Sequence, residues 1–273
     1  MSKYLIIGGV AGGMSCAARL RRLSEDAKVI VFERGEFVSF ANCGLPYYIG
    51  GKITEKSALV LQTPESFKSR FNIDVRVLSE VLSIDPAAKK IKVRDIYVGK
   101  EYEETYDKLI LSPGAAPVKP DIPGIEHPAI FSLRNIPDTL RIKNFIDTKK
   151  PSTAIVVGGG YIGLEMAENL AEAGIHTTVV EALPQVLNVV DPEIAAMVNI
   201  VLKNNKVNLK TGVGGVLSFD DNNGGVKILL TNGQDVKADM VILSIGVSPE
   251  TGLAKAAGLK TNRGIIVDEY LRT

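Results

Sequence analysis

Ile155-Val156-Val157-Gly158-Gly159-Gly160-Tyr161-Ile162-Gly163 decides the fold of this 273-residue chain. An apolar, β-branched run ends in a glycine cluster, and a helical pattern follows from about Gly163 to Ala173. A second apolar run, Thr177-Thr178-Val179-Val180-Glu181, comes next. Strand, tight turn, helix and strand make a βαβ unit, which implies a parallel sheet with a right-handed crossover. The opening of the chain repeats the pattern: Leu5-Ile6-Ile7-Gly8-Gly9-Val10-Ala11-Gly12-Gly13, a helix from about Gly13 to Leu23, then Val29-Ile30-Val31-Phe32-Glu33. Two such units in series predict an α/β protein with two Rossmann-like domains.

Backbone breakers mark the joins. Ser112-Pro113-Gly114-Ala115-Ala116-Pro117 follows the apolar strand Leu109 to Leu111, with Pro120, Pro123 and Gly124 close behind. Ser244-Ile245-Gly246-Val247-Ser248-Pro249 follows the run Met240 to Leu243 in the same way. Both read as crossovers. We therefore expect a first domain at 1–115 resuming at 246–273, with a second at 118–245 inserted into it. Asp220-Asp221-Asn222-Asn223-Gly224-Gly225 reads as a hairpin turn.

The glycines carry chemistry as well as shape. A pyrophosphate needs the free N–H groups and dipole of a helix N-terminus, and glycines give the tight turn and close approach. Gly158, Gly160 and Gly163 supply G-x-G-x-x-G, with Tyr161 and Ile162 between the last two. Glu181 lies 18 residues beyond Gly163, where a carboxylate would accept the ribose hydroxyls. That charge favours NADH and opposes a 2′-phosphate, although NADPH stays possible. The other reading is a plain strand-turn-helix bend. In the first unit Gly8 and Gly13 hold the outer positions, Val10 takes the middle one, and Gly9, Ala11 and Gly12 flank it. Glu33 follows 20 residues past Gly13, with Arg34 beside it. As one of a pair, this turn reads as an FAD site. Ser112, Gly114 and Gly246, at the two breaks, join the candidate cofactor-binding residues.

Ser39-Phe40-Ala41-Asn42-Cys43-Gly44-Leu45-Pro46-Tyr47-Tyr48 is an uncharged stretch turning into a short helix. A thiol at a helix N-terminus has a stabilised thiolate, and such a thiolate beside a flavin can exchange electrons with a disulfide. No second cysteine stands near, so an oxidised Cys43 would be a mixed disulfide with a small thiol or a sulfenic acid. The other reading is a buried, inert cysteine. Cys16, among small residues of the first helix, reads as packing. The two histidines, His127 and His176, form no metal-ligand pattern with the two cysteines.

These motifs resemble the pyridine nucleotide-disulfide oxidoreductases, and the run from Ser39 to Tyr47 is similar to their single-cysteine branch: coenzyme A-disulfide and persulfide reductases, with related NADH oxidases and peroxidases. Lys108-Leu109-Ile110-Leu111-Ser112-Pro113-Gly114 and Gly264-Ile265-Ile266-Val267-Asp268 extend the likeness along the whole chain. The resemblance implies hydride transfer from NADH to FAD, then reduction of a mixed disulfide at Cys43. It implies that Tyr161 covers the flavin until the nicotinamide arrives, or else is an aromatic of the turn. Glu165 matches a position near the nicotinamide, or is a helix surface charge. Arg19 and Arg22 could reach coenzyme A phosphates, or form a solvated face with Arg21. Ser39 and Asn42 could orient the adduct on Cys43.

The resemblance also implies chain beyond residue 273: a strand ending in Gly-Asp at the flavin and a C-terminal interface domain forming a homodimer, so we expect this sequence to be truncated before them. In some relatives a rhodanese domain follows. A net charge of +1 gives no case for nucleic acid or an anionic membrane, and no run of 18 apolar residues predicts a span. We expect a cytoplasmic enzyme. An oxidase or peroxidase using a Cys43 sulfenic acid, and a non-catalytic redox sensor, are the alternatives.

Overall fold

Short parallel strands that bury side chains on both faces explain how the first unit forms. The computed structural model describes residues 2–273. The chain builds β1 (Lys3–Ile7), α1 (Ala11–Leu23) and β2 (Lys28–Phe32). After residues 42–56, which contain the five-residue helix α2 (Leu45–Ile49), come α3 (Pro64–Phe71) and β3 (Asp74–Arg76). A meander of β4 (Ser79–Asp85), β5 (Lys90–Asp95) and β6 (Glu101–Thr105) precedes β7 (Lys108–Leu111). The parallel sheet has the order β3-β2-β1-β7. Both of its faces are covered, so its strands read as continuous apolar runs. Ile6, Val29 and Val31 pack with Met14 and Ala17 of α1 and with Phe67 of α3. Leu5, Ile7, Ile30 and Phe32 pack on the other side with Val81, Ile91 and Val93 of the meander. Each fully buried Leu, Ile or Phe contributes about 1.5–3 kcal/mol.

β8 (Ala115–Pro117) leads out of this unit, and the second repeats the plan. Its elements are β9 (Ile130–Ser132), α4 (Ile136–Lys149), β10 (Thr153–Val157), α5 (Tyr161–Glu172) and β11 (His176–Val180). Then follow α6 (Pro192–Asn204), β12 (Asn208–Lys210), the meander β13 (Val216–Asn222), β14 (Gly225–Leu230) and β15 (Asp235–Ala238), and β16 (Met240–Leu243). The sheet order is β12-β11-β10-β16-β9, all parallel. The expected hairpin is present: Asn223 and Gly224 have φ of 54° and 88°, the positive pair of a type I′ turn. β17 (Val247–Pro249) leads back to the first unit, which ends with α7 (Gly252–Ala256) and residues to 273.

Three differences from the sequence reading have physical reasons. The helices after both glycine turns begin two residues before the expected glycine, at Ala11 and Tyr161, because Gly13 and Gly163 sit inside the first turn, where the helix presses on the strand–turn backbone. Residues 42–56 belong to the compact body formed by 117–247, because α2 packs on α4 and α5. Arg21 is not part of a solvated face. It is buried, and its guanidinium donates to the carbonyls of Phe71, Ser24, Glu25, Ala27 and Asn72. On α6, by contrast, Ile194, Met197, Ile200 and Val201 are all exposed.

Candidate active site

The two glycine turns share a geometry. Gly8 and Gly158 have φ of +105° and +108°, a region that favours glycine, and each passes close to the carbonyl ending the neighbouring strand. A Cβ at Gly8 would lie 2.0 Å from Ser112 O, and one at Gly158 would lie 2.4 Å from Ser244 O. A Cβ at Gly13 would meet Gly8 O at 1.8 Å, and one at Gly163 would meet Gly158 O at 2.0 Å. Helix and strand can approach this closely only without side chains. Gly160 has nothing within 4 Å of its Cβ direction, which leaves the top of the second turn open for a phosphate. Val10 replaces that glycine in the first turn with φ of −107°, so no left-handed backbone is required of it. Gly12 supplies the room there: its nearest neighbour would be Ser112 Oγ at 3.5 Å.

No side chain caps the N-terminus of α1 or of α5, so the first N–H groups, over Ala11–Gly13 and Tyr161–Gly163, point at the open turn. Glu33 and Glu181 stand in matching places. Glu33 accepts from Gly9 N–H at 2.8 Å and Gly35 N–H at 2.8 Å. Glu181 accepts from Gly159 N–H at 2.6 Å and Leu183 N–H at 2.8 Å. Each carboxylate oxygen keeps a free lone pair for a ribose hydroxyl. Both turns therefore fit a dinucleotide.

Tyr161 and Glu165 border a cavity of about 540 Å³ between α5 and α6, with Leu164, Leu187, Val198 and Lys206. Tyr161 is 63% exposed, an unusual position for an aromatic residue. Burial pushes the Glu165 carboxyl above its ordinary pKa, and neighbouring Glu168 adds to the effect. Ile162 is exposed beside Tyr161. Gly246, at φ +114°, has open space around it in the second unit, and Gly114, at φ +77°, is exposed in the first.

Cys43 is exposed and free. It lies in the 3₁₀ turn Asn42–Gly44, one residue ahead of Gly44, the N-cap of α2, and so not in the first turn of the helix itself. Asn42 is half-buried, and its Oδ1 is buried without a hydrogen-bond partner. Ser39 belongs to the first unit, where its φ of 47° lets its N–H donate to Gly9 O at 2.9 Å. Arg19 and Arg22 are exposed on α1. Arg34 pairs with Glu250. Cys16 is half-buried, and burial raises its thiol pKa. Among the described residues no group of three or more His, Cys, Asp or Glu could hold a metal ion, and no helix is long and apolar enough to cross a membrane.

Sequence reasoning missed Ser244, whose hydroxyl donates to Val157 O and Gly158 O at 3.0 and 3.1 Å and braces the second turn. Its signal was available: Ser244 directly follows β16 as Ser112 directly follows β7. It also missed Gly50, Lys52 and Asn169, which seat the Cys43 segment on α5; no local motif marks them.

The profile of the pyridine nucleotide-disulphide oxidoreductase family matches residues 2–273. The chain is 33% identical over 263 residues to the coenzyme A disulfide reductase of Staphylococcus aureus (strain JH9), covering 96% of this chain and 58% of that protein. Among solved structures it resembles reduced CoADR-RHD from Bacillus anthracis, with a TM-score of 0.92 and 53% identity over 96% of this chain and 46% of that one. It also resembles a NAD-dependent persulfide reductase from A. fulgidus, with a TM-score of 0.94 and 35% identity over 99% of this chain and 51% of that one. The chain spans about half the length of the relatives it matches.

Proposed function

This chain belongs to the pyridine nucleotide-disulphide oxidoreductase family, and from that membership we propose that the full-length protein is an FAD-dependent NADH:disulfide oxidoreductase. Its substrate is coenzyme A disulfide or a related small disulfide or persulfide, and Cys43 is its redox thiol. The observation that carries the reading is an exposed cysteine in a chain that also holds two equivalent dinucleotide cradles. The names of the similar Staphylococcus, Bacillus and A. fulgidus proteins support the substrate class.

In this reading the turn over Gly8–Gly13 binds FAD, with Glu33 taking its ribose and Ser112 and Gly114 flanking. The turn over Gly158–Gly163 binds NADH, with Glu181 taking the ribose and Gly246 leaving space nearby. The chemistry supplied by a bound flavin is the relay of an electron pair from NADH to sulfur. Tyr161 would shield that region until the nicotinamide enters, and Glu165 would lie near the nicotinamide. The Cys43 thiolate attacks one sulfur of the disulfide; the Cys43–sulfur bond forms, the substrate S–S bond breaks, and one coenzyme A thiolate leaves. Two-electron reduction of the mixed disulfide then releases the second thiolate and restores Cys43. The balance is NADH + H⁺ + CoAS–SCoA → NAD⁺ + 2 CoASH. Asn42 and Ser39 orient the adduct, and Arg19 and Arg22 contact substrate phosphates. The family likeness supports a homodimer, and we expect the enzyme in the cytoplasm.

The test is anaerobic. NADH is added to the full-length flavin-loaded protein, followed by coenzyme A disulfide, while flavin absorbance and free thiol are followed. Flavin bleaching followed by thiol release, lost in Cys43→Ser, is the expected result. Bleaching without thiol release, but with turnover of hydrogen peroxide, would replace the proposal with a peroxidase.

A further inference from the structure

Segment 42–56 carries Cys43 near one end and meets α5 near the other. After Cys43 the chain enters α2, whose Leu45, Pro46 and Ile49 are buried, and leaves it at Gly50, whose N–H donates to Pro46 O at 2.9 Å. Gly50 lies against Asn169 of α5. A Cβ at residue 50 would be 2.8 Å from both Asn169 Cβ and Oδ1, and 2.9 Å from the Asn169 carbonyl oxygen. Two residues on, Lys52 Nζ lies 2.7 Å from Glu172 and 3.7 Å from Glu168. Glu165, Glu168, Asn169 and Glu172 share one helical face.

Asn169 is fully buried. Its Nδ2 donates to the Glu165 carbonyl at 2.8 Å, while its Oδ1 is buried with no partner. An unpaired buried acceptor is destabilising. An apolar side chain of the same shape would fill the seat without that cost, so packing alone does not account for the amide.

We propose that Asn169 is a positioning residue for the chemistry of Cys43: it ties the turn of α5 that bears Glu165 to the Gly50 end of the short rod whose other end presents the thiol. The inference rests on the reading of Cys43 as the redox thiol. A shift at Gly50 travels through α2, five residues of closed helix, to Asn42 and Cys43. Such a shift misplaces the sulfur without touching either glycine turn.

The test uses Asn169→Leu and Gly50→Ala in the full-length flavin-loaded protein. Two activities are measured with NADH: coenzyme A disulfide reduction, which needs the thiol, and ferricyanide reduction, which does not. Thermal midpoint and flavin content are measured alongside. The expected result is a fall of about tenfold to a hundredfold in disulfide turnover, the scale set by small misplacements of reacting groups, with ferricyanide turnover and flavin content retained. Parallel loss of both activities, or full disulfide turnover in both variants, would overturn the inference. A Cys43→Ser protein that still reduces the disulfide would show instead that the underlying function is misread.

Discussion

Glu181 Oε2 accepts the Gly159 N–H at 2.6 Å, so the carboxylate proposed to select the ribose is also a strut of the glycine turn. Glu33 does the same for Gly9 at 2.8 Å. Selectivity and turn geometry are therefore coupled at these positions, and most substitutions there act on both.

Removing the charge at Glu181 separates the two roles best when shape is kept. Glu181→Gln should raise the NADPH-to-NADH ratio of kcat/KM by about tenfold, because a like-charge clash with the 2′-phosphate is relieved. Glu181→Ala should gain less in that ratio and lose more activity, since Gly159 and Leu183 then lose their acceptor. Steady-state kinetics with both nucleotides decides the matter; an unchanged ratio in Glu181→Gln would remove Glu181 from cofactor choice.

Gly13→Ala and Gly163→Ala are twin lesions with different victims. In each, the new methyl group meets a turn carbonyl at 1.8 or 2.0 Å. Gly13→Ala should yield protein lacking flavin. Gly163→Ala should retain flavin but lose its reduction by NADH by at least about a hundredfold, as expected when a nucleotide is displaced by an ångström. Flavin absorbance of the purified variants, before and after NADH, reads both.

Asp239 predicts an acid limit for the second unit. One of its oxygens accepts from Ser152 N–H, Ser152 Oγ, Thr153 N–H and Thr153 Oγ1, at 2.8–3.0 Å. Burial works against the charge, but these donors outweigh it and hold the carboxyl below its ordinary value of 3.8. A depressed acid stabilises the fold above 3.8 and loses that contribution as pH falls through the folded value. Asp239→Ala should cost about 1–3 kcal/mol at pH 7. The gap to wild type should close as the medium is acidified below the range of free carboxylates; denaturant midpoints across pH would reveal a constant gap if the idea is wrong.

Arg21 should prove the most sensitive arginine of its trio. Arg21→Met strands five carbonyls that it now satisfies and should cost about 3 kcal/mol. Arg19→Met and Arg22→Met, at exposed positions, should leave the thermal midpoint near wild type while testing the proposed phosphate contact through KM for coenzyme A disulfide.

These contrasts show where sequence was enough. The strands Leu5–Ile7 and Ile155–Val157, their glycine turns and the acids Glu33 and Glu181 follow from local pattern, because a parallel strand buried on both faces and a phosphate turn each demand particular residues at fixed spacing. The hairpin at Asn223-Gly224 was legible for the same reason. Arg21 was hidden because its acceptors lie on α3's end and the α1–β2 loop, brought together only by folding. Gly50 and Asn169 were hidden likewise: a glycine whose partner is a helix face far along the chain leaves no periodic mark. The affiliation of residues 42–56 with the second unit comes from the packing of α2 on α4 and α5, which also leaves no local mark.

The row formed by Ile194, Met197 and Val201, with Ile200 beside it, should govern how this chain behaves in a test tube. These side chains recur at helical spacing along α6 and are 48–62% exposed. In colloidal terms they are a sticky stripe on a molecule whose net charge of +1 provides almost no repulsion. The isolated 273-residue chain should self-associate as its concentration rises, and Met197→Glu with Ile200→Lys should keep it dispersed by light scattering.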